Sequence, residues 1–211
     1  MKPNDLICGG LLLLAAALAL TGYNLWEDRR AAQAARQALA AMEVQTETEG
    51  ERAPEQPEPS VPEYVLHPDM EMPTVEIDGV EYIGTLTIPT LGLELPIVSS
   101  WSDALLDLAP CRYTGSVYLD DLIIAGHNYR GHFGSLLKLK AGDAVIFTDA
   151  VGNKFSYGVS QLEELPGTAL EEMEAGDWDL TLFTCTLSRT SRVTVRCERT
   201  GTSGDDTAEG G

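Results

Sequence analysis

A cysteine and an arginine seven positions apart mark the most informative segment of this 211-residue chain. Thr181-Leu182-Phe183-Thr184-Cys185 has the pattern of a β-strand that ends in a thiol, and a second strand begins at Arg192 after a short polar turn. A thiolate is a nucleophile suited to acyl transfer, and a fixed guanidinium can hold an oxyanion or a substrate. His127 follows an earlier apolar run and supplies an acid/base. These residues predict covalent acyl transfer through Cys185.

Two of these residues have alternatives nearby. Cys185 on its own would be interpreted as a small buried hydrophobic residue, but its neighbours favour a nucleophile. His132 lies five residues after His127 in a polar loop and competes for the acid/base role. His127 is favoured because it follows a glycine at a predicted strand end, where side chains are exposed. His67 falls in an acidic stretch, where a solvated side chain is expected.

Arg189 competes with Arg192 for the arginine role, because it is closer to Cys185 along the chain. Strand alternation favours Arg192. The predicted strand presents Arg192, Thr194 and Arg196 on one face and Val193, Val195 and Cys197 on the other.

Charge and metal-ligand spacing exclude several classes of function. The net charge of -19 argues against nucleic acid binding, which needs a basic surface. The three histidines and four cysteines form no Cys-x-x-Cys or His-x-x-x-His pair, so we expect no metal and no cofactor. The Asp120-Asp121 pair suggests a cation site or a carboxylate dyad, but we favour a turn before the next strand.

Cys111 and Cys197 raise the question of a disulfide, which an exported domain would permit. The sequence does not decide whether they meet. Because a bond from either one to Cys185 would abolish catalysis, we expect both to be free and buried.

The N-terminal elements predict a membrane anchor. Residues 6–26 are almost continuously apolar and long enough to cross a bilayer, with Tyr23 and Trp26 at the interface. A cleavable signal peptide is the alternative, because Ala17-Leu18-Ala19 resembles a cleavage site. We favour the uncleaved anchor, in which residues 1–5 form a short cytoplasmic N-terminus. The alanine-rich residues 27–42 predict a helical stalk, and a partner-binding helix is the less favoured alternative.

Composition divides the remainder into a linker, one domain and a tail. Residues 43–76 hold ten acidic residues and six prolines, which predicts an extended, disordered acidic linker. Residues 77–200 form the predicted domain, and residues 201–211 a flexible tail. Short apolar runs with Gly, Pro and Asp breaks predict a mainly β, closed barrel of seven or eight strands with one or two short helices. The candidate strands are residues 82–88, 94–98, 116–125, 144–148, 154–165, 179–184 and 192–197, and Ser102 begins a candidate helix over 102–108.

Several phrases occur in the same order as in a known family. They are IPTLGLELPI from Ile88, GHN around His127, FGSLLKL from Phe133, GDAV from Gly142, and TLFTC followed by RVTVR. Over residues 82–199 the chain resembles the sortases, the membrane-anchored cysteine transpeptidases of Gram-positive bacteria.

The resemblance implies an eight-stranded sortase β-barrel and a catalytic set of His127, Cys185 and Arg192. Cys185 would attack the scissile carbonyl of an LPxTG-like sorting signal, His127 would be the acid/base, and Arg192 would steady the oxyanion or substrate. Thr184 matches the threonine that helps shape the site. The partners implied are sorting-signal peptides of surface proteins and an amine acceptor from a cell-wall precursor or a pilin lysine.

The subclass is open. The chain has no Asp-Pro pair for the lid motif of many pilin-polymerising members, and the glutamate cluster of calcium-stimulated members is not evident. We therefore favour anchoring of proteins to the cell wall over pilin polymerisation. A peptidase that hydrolyses its acyl-enzyme is a further alternative, as is a non-catalytic, membrane-tethered peptide-binding domain.

The orientation evidence conflicts. Only Lys2 precedes the apolar run, whereas Arg29, Arg30 and Arg36 follow it, which favours a cytoplasmic C-terminus. Sorting substrates are extracytoplasmic, however. We therefore expect a single-pass protein of the cell membrane, with residues 1–5 inside and the catalytic domain outside.

Overall fold

The computed structural model describes residues 3–52, 61–186 and 190–202, and most of its regular structure is β-strand. The strands are β1 (Val75–Ile77), β2 (Val80–Ile88), β3 (Leu93–Val98), β4 (Cys111–Thr114), β5 (Leu122–Ala125), β6 (Ala144–Asp149), β7 (Lys154–Pro166), β8 (Leu180–Cys185) and β9 (Ser191–Thr202). The helices are α1 (Pro3–Arg52), α2 (Glu63–Leu66), α3 (Asp103–Leu106) and α4 (Leu170–Glu174), with 3-10 turns at Pro89–Leu91 and Leu136–Lys138.

Eight of the strands close into a barrel. The order is β2-β3-β4-β5-β8-β9-β7-β6, and β6 pairs back onto β2, with Leu86 opposite Phe147. The β3–β4 and β5–β8 pairs are parallel, and the others are antiparallel. β1 adds a ninth strand outside the ring as a hairpin with β2. The closed eight-stranded barrel predicted from the sequence is confirmed.

The barrel interior is a continuous apolar core. Alternate residues of each strand point inward, and the largest are fully buried. They include Ile83, Leu86, Ile97, Leu122, Ile124, Phe147, Phe155, Tyr157, Leu180 and Leu182. A second, smaller layer lies outside β5 and β8, where Ile123, Ala125 and Phe183 pack beneath Met173 of α4.

The α1 helix has two parts with different surroundings. From Leu11 to Trp26 its large apolar side chains are exposed, and this is a helix long and apolar enough to cross a membrane. From Ala31 onward one face is buried against the barrel. The buried face consists of Ala31, Ala35, Ala38 and Met42, which follow helical spacing.

The boundaries drawn from composition need correction around the linker. The α1 helix runs on to Arg52, ten residues into the segment predicted to be extended, and residues 53–60 lie outside the described part. Residues 61–76 also pack on the barrel: the Tyr64 ring stacks on Tyr118 with centroids 4.8 Å apart, and Met72 is buried. The many acidic residues and prolines of this segment predicted a linker, although a few of its apolar residues pack on the barrel. The predicted tail from residue 203 onward also lies outside the described part.

The strand predicted over residues 116–125 is shorter than expected. Residues 116–121 form a turn, because Asp120 adopts a positive φ of 56° and Asp121 Oδ1 accepts a hydrogen bond from the Ser116 N–H at 2.7 Å. The Asp120-Asp121 pair is therefore part of a turn, as favoured from the sequence. The predicted helix at Ser102 is present, and Ser102 Oγ accepts from the Leu105 N–H.

The packing of α1 leads to a stability prediction. In Ala35→Glu, a charge is placed at a buried position with no partner, so we expect the free energy of unfolding to fall by about 1–3 kcal/mol. Ala40→Glu is the matched control on the exposed face and should change it by less than about 0.5 kcal/mol. Thermal unfolding of the full chain in detergent micelles measures both, and equal effects would contradict the packing of α1 on the barrel.

Candidate active site

Cys185 is the last residue of β8, and its side chain lies on the outer face of the barrel. Alternation along β8 buries Leu180 and Leu182 in the core, and directs Thr181, Phe183 and Cys185 outward. Cys185 is exposed, whereas the five strand residues before it are buried. The strand therefore delivers a solvent-accessible thiol at its end.

Arg192 lies directly opposite Cys185 across the β8–β9 pair. Its Nη1 donates a hydrogen bond to the Gly167 carbonyl, and its guanidinium lies over the Phe183 ring, 5.9 Å from the centroid. Val193 and Val195 point into the core, as the sequence pattern predicted. The carbonyl and the ring fix the position of the guanidinium on the same face of the sheet as the thiol.

His127 reaches the same edge through the parallel pairing of β5 with β8. Ala125 lies opposite Phe183, and the Gly126 N–H donates to the Phe183 carbonyl at 3.0 Å. His127 lies two residues after Ala125, and Cys185 lies two residues after Phe183, so the parallel pairing brings both to the same edge. Gly126 is required here, because a Cβ would lie 2.5 Å from the Phe133 ring.

Asp107 is a partner of His127 that the sequence interpretation missed. Its Oδ1 lies 3.0 Å from His127 Nε2, and both side chains are partly exposed. Asp107 directly follows α3, so the short helix begun by Ser102 delivers this carboxylate to the site. A carboxylate at this distance accepts a hydrogen bond from the ring N–H and so restricts the orientation of the ring.

The competing residues have other surroundings. His132 is completely buried behind Tyr129, and among the described residues neither of its ring nitrogens has a hydrogen-bond partner. Burial is the main cause that lowers its pKa to about 4, with the nearby His127 adding to the effect. Such a neutral, enclosed imidazole does not face a substrate. Arg189 lies outside the described residues.

Thr184 faces away from the Cys185 thiol. Its side chain is buried, and its hydroxyl has no hydrogen-bond partner among the described residues. It lines a cavity of about 660 Å³ at the mouth of the barrel, which we call the mouth cavity. The structure therefore brings Thr184 close to the site, but onto the opposite side of β8.

The outer wall of the site is held by a buried arginine. Arg196 is 2 % exposed and donates to Glu163 Oε1 at 2.7 Å and to Thr181 Oγ1 at 3.1 Å. It also donates to the carbonyls of Glu172 and Met173 in α4. These bonds fasten α4 over the outer face of β8 and β9, next to the loop that carries the Gly167 carbonyl.

Cys111 and Cys197 are free and buried, as expected. Burial raises the pKa of the Cys111 and Cys197 thiols to about 12 in each case. Within the described ranges, no group of three or more His, Cys, Asp or Glu side chains is arranged to hold a metal ion.

Comparison with known proteins identifies the domain. Residues 86–200 match the family model of the sortase domain. The chain is 29% identical to sortase A of Bacillus anthracis over 125 residues, which cover 56% of this chain and 59% of that protein, less than two thirds of its length.

Solved structures agree with that match. Sortase C1 of Streptococcus suis superposes with a TM-score of 0.51 and 26% identity, over 59% of this chain and 76% of that one. Sortase C1 of Streptococcus agalactiae gives a TM-score of 0.52 and 27% identity, over 60% and 71%.

Thiol labelling tests the accessibility of the site. At pH 8, iodoacetamide should label Cys185 in the folded protein and leave Cys111 and Cys197 unlabelled, because a thiol with a pKa about 12 is only roughly 10⁻⁴ ionised and these two are enclosed. Mass spectrometry of peptides before and after denaturation measures this. Equal labelling of all three in the folded state would show that the burial described here is wrong.

The depressed pKa of His132 predicts a loss of stability in acid. Because the unfolded chain binds this proton more tightly than the folded one, stability is complete above about pH 6.5 and falls as the pH drops towards 4, by roughly 3 kcal/mol at most. Urea midpoints across this range should show a step that is absent in His132→Gln and retained in His67→Gln, whose histidine is exposed. An identical acid profile in His132→Gln would contradict the assignment.

Proposed function

The chain belongs to the sortase family, and from that premise we propose that it is a cysteine transpeptidase that cleaves LPxTG-like sorting signals and transfers the acyl group to an amine. The observation that supports this most directly is the set of three side chains at one barrel edge. The exposed thiol, the guanidinium of its strand partner and the carboxylate-paired imidazole all lie at the edge where β5 and β8 end and β9 begins.

In the first half-reaction, the Cys185 thiolate attacks the scissile carbonyl carbon and a C–S bond forms. The negative charge moves to the carbonyl oxygen, where the Arg192 guanidinium stabilises it. Protonated His127 gives its proton to the leaving amine as the C–N bond breaks, and a thioester remains on Cys185.

In the second half-reaction, an acceptor amine attacks the thioester carbon. Its nitrogen loses a proton to His127, the new C–N bond forms, and the C–S bond breaks to return the thiolate. Asp107 holds the His127 ring in place through its contact with Nε2. Because His127 gives one proton in the first half-reaction and takes one back in the second, it begins and ends each cycle in the same protonation state.

Membrane anchoring completes the proposal. The exposed apolar part of α1 suits a lipid environment better than water, because contiguous exposed apolar surface is costly in solution. We place residues 6–26 in the cell membrane as a single span, with the barrel on the extracytoplasmic side where sorting substrates are found. We favour anchoring of proteins to the cell wall, which the match to a sortase A supports. Pilin polymerisation is the second candidate, because the chain also resembles sortase C1 structures.

The decisive experiment incubates the full chain in detergent with fluorogenic LPxTG-like peptides and an amine acceptor. We expect Cys185→Ala and His127→Ala to lower cleavage and ligation by about 10³-fold or more, and Arg192→Ala by about 10²-fold, because each removes a group that acts on the reacting atoms.

His67→Ala and Arg36→Ala are the matched controls, since both residues are exposed and lie outside the proposed site. Both should keep normal rates. Undiminished cleavage by Cys185→Ala would disprove the mechanism, and product that never depends on the acceptor would favour a hydrolase.

A further inference from the structure

The mouth cavity lies directly behind the proposed catalytic residues. Its lining includes Thr184 and Thr186, which flank Cys185, and Asn128, which follows His127. Strand alternation turns these neighbours to the side of the sheet opposite the thiol. Because β8 ends at Cys185, the cavity and the thiol lie on opposite sides of the last residues of this strand.

Two carboxylates from distant parts of the chain face this cavity. Asp28 comes from α1, and its Oδ1 accepts a hydrogen bond from the Arg130 backbone N–H at 3.0 Å. Glu164 comes from β7 and accepts a hydrogen bond from the Ser191 hydroxyl. Within the described residues neither carboxylate forms an ion pair, and the Arg130 side chain also lines the cavity without pairing with them.

The Thr184 hydroxyl is an independent indication of a ligand. Thr184 is 3 % exposed, it lines the cavity, and among the described residues its Oγ1 has no hydrogen-bond partner. Buried polar groups in folded proteins are nearly always paired. A hydroxyl both donates and accepts, so it suits a ligand with an N–H group.

The apolar part of the lining sets the shape of that ligand. Phe133, Leu137 and Val193 contribute apolar surface between the charged groups, which suits a chain of methylenes. A short aliphatic arm that ends in a cation fits both the apolar wall and the two unpaired carboxylates.

Building on the proposed transpeptidase, we propose that the mouth cavity binds the remote end of the amine acceptor, and that this end carries a second ammonium group. An ammonium beside two carboxylates retains its proton more firmly, so it cannot be the attacking nitrogen. The acceptor is therefore a diamine or a residue with two amino groups. One nitrogen stays charged between Asp28 and Glu164, and the other passes the end of β8 to the thioester on Cys185.

The bond changes are those of the second half-reaction. The uncharged nitrogen forms the C–N bond and gives its proton to His127, and the C–S bond breaks to return the Cys185 thiolate. The bound ammonium takes no part in the chemistry. It lowers the concentration of acceptor needed and positions the free nitrogen.

The test compares two acceptors in the full chain with a fluorogenic LPxTG-like peptide. They are 1,5-diaminopentane and pentylamine, at equal concentrations of uncharged amino groups. The wild-type chain should use the diamine about fivefold more efficiently, the scale of one partly exposed ion pair. In Asp28→Asn and in Glu164→Gln the diamine-to-monoamine ratio should fall towards one.

Glu27→Gln is the matched control, because Glu27 is adjacent on α1 but accepts a hydrogen bond from Tyr23 and does not line the cavity. It should keep the wild-type ratio. A wild-type ratio of one alongside Cys185-dependent peptide cleavage would overturn this inference alone, as would a ratio that both cavity variants retain. No cleavage of any sorting peptide would instead overturn the proposed function.

Discussion

The parallel pairing of β5 with β8 is the constraint on which the site depends. Parallel strands end at the same edge, so the residues that follow Ala125 and Phe183 arrive side by side although they are 58 positions apart in the chain. The antiparallel β8–β9 pair then returns Arg192 to a position opposite Cys185. A slip of one residue in either pairing would turn one of the three side chains to the wrong face. The barrel's closure through β2 and β6 keeps both registers fixed.

The same alternation explains why one strand end has two sides with different chemistry. Outward residues carry the thiol, the guanidinium and the imidazole, with Phe183 and Met173 as an apolar floor. The inward neighbours cannot join the apolar core at the open end of the barrel, so polar residues such as Thr184 and Glu164 are tolerated there and enclose the mouth cavity. Arg196, buried on the outer face, holds α4 in place over the apolar residues beneath the site.

The barrel and its edge could be predicted from the sequence because their signals are local and periodic. The alternation from Arg192 onward correctly predicted which face of β9 carries Arg192 and which face enters the core. Glycine and aspartate breaks predicted the ends of most strands. The β1–β2 hairpin was missed, although Asp78-Gly79 is a strong turn signal and both residues adopt positive φ, at 52° and 79°. Asp107 was missed for another reason. Its approach to His127 depends on the β3–β4 connection folding over the site, and a single aspartate after a short helix carries no periodic signal.

The packing of α1 was the least predictable feature, because alanine favours helix in any surroundings and its small side chain gives no strong apolar stripe. Once buried, that small side chain becomes an advantage: it lets the helix lie close to the His127 loop, where Ala32 contacts Gly131 and Asp28 bonds to the Arg130 N–H. Asp28 is two residues beyond Trp26, about 3 Å along the helix axis. If the span ends at Trp26 as proposed, the continuous helix therefore fixes the mouth cavity at the membrane surface. On that proposal, a free stalk would let the barrel reach distant substrates, whereas a docked helix would restrict it to substrates presented close to the bilayer.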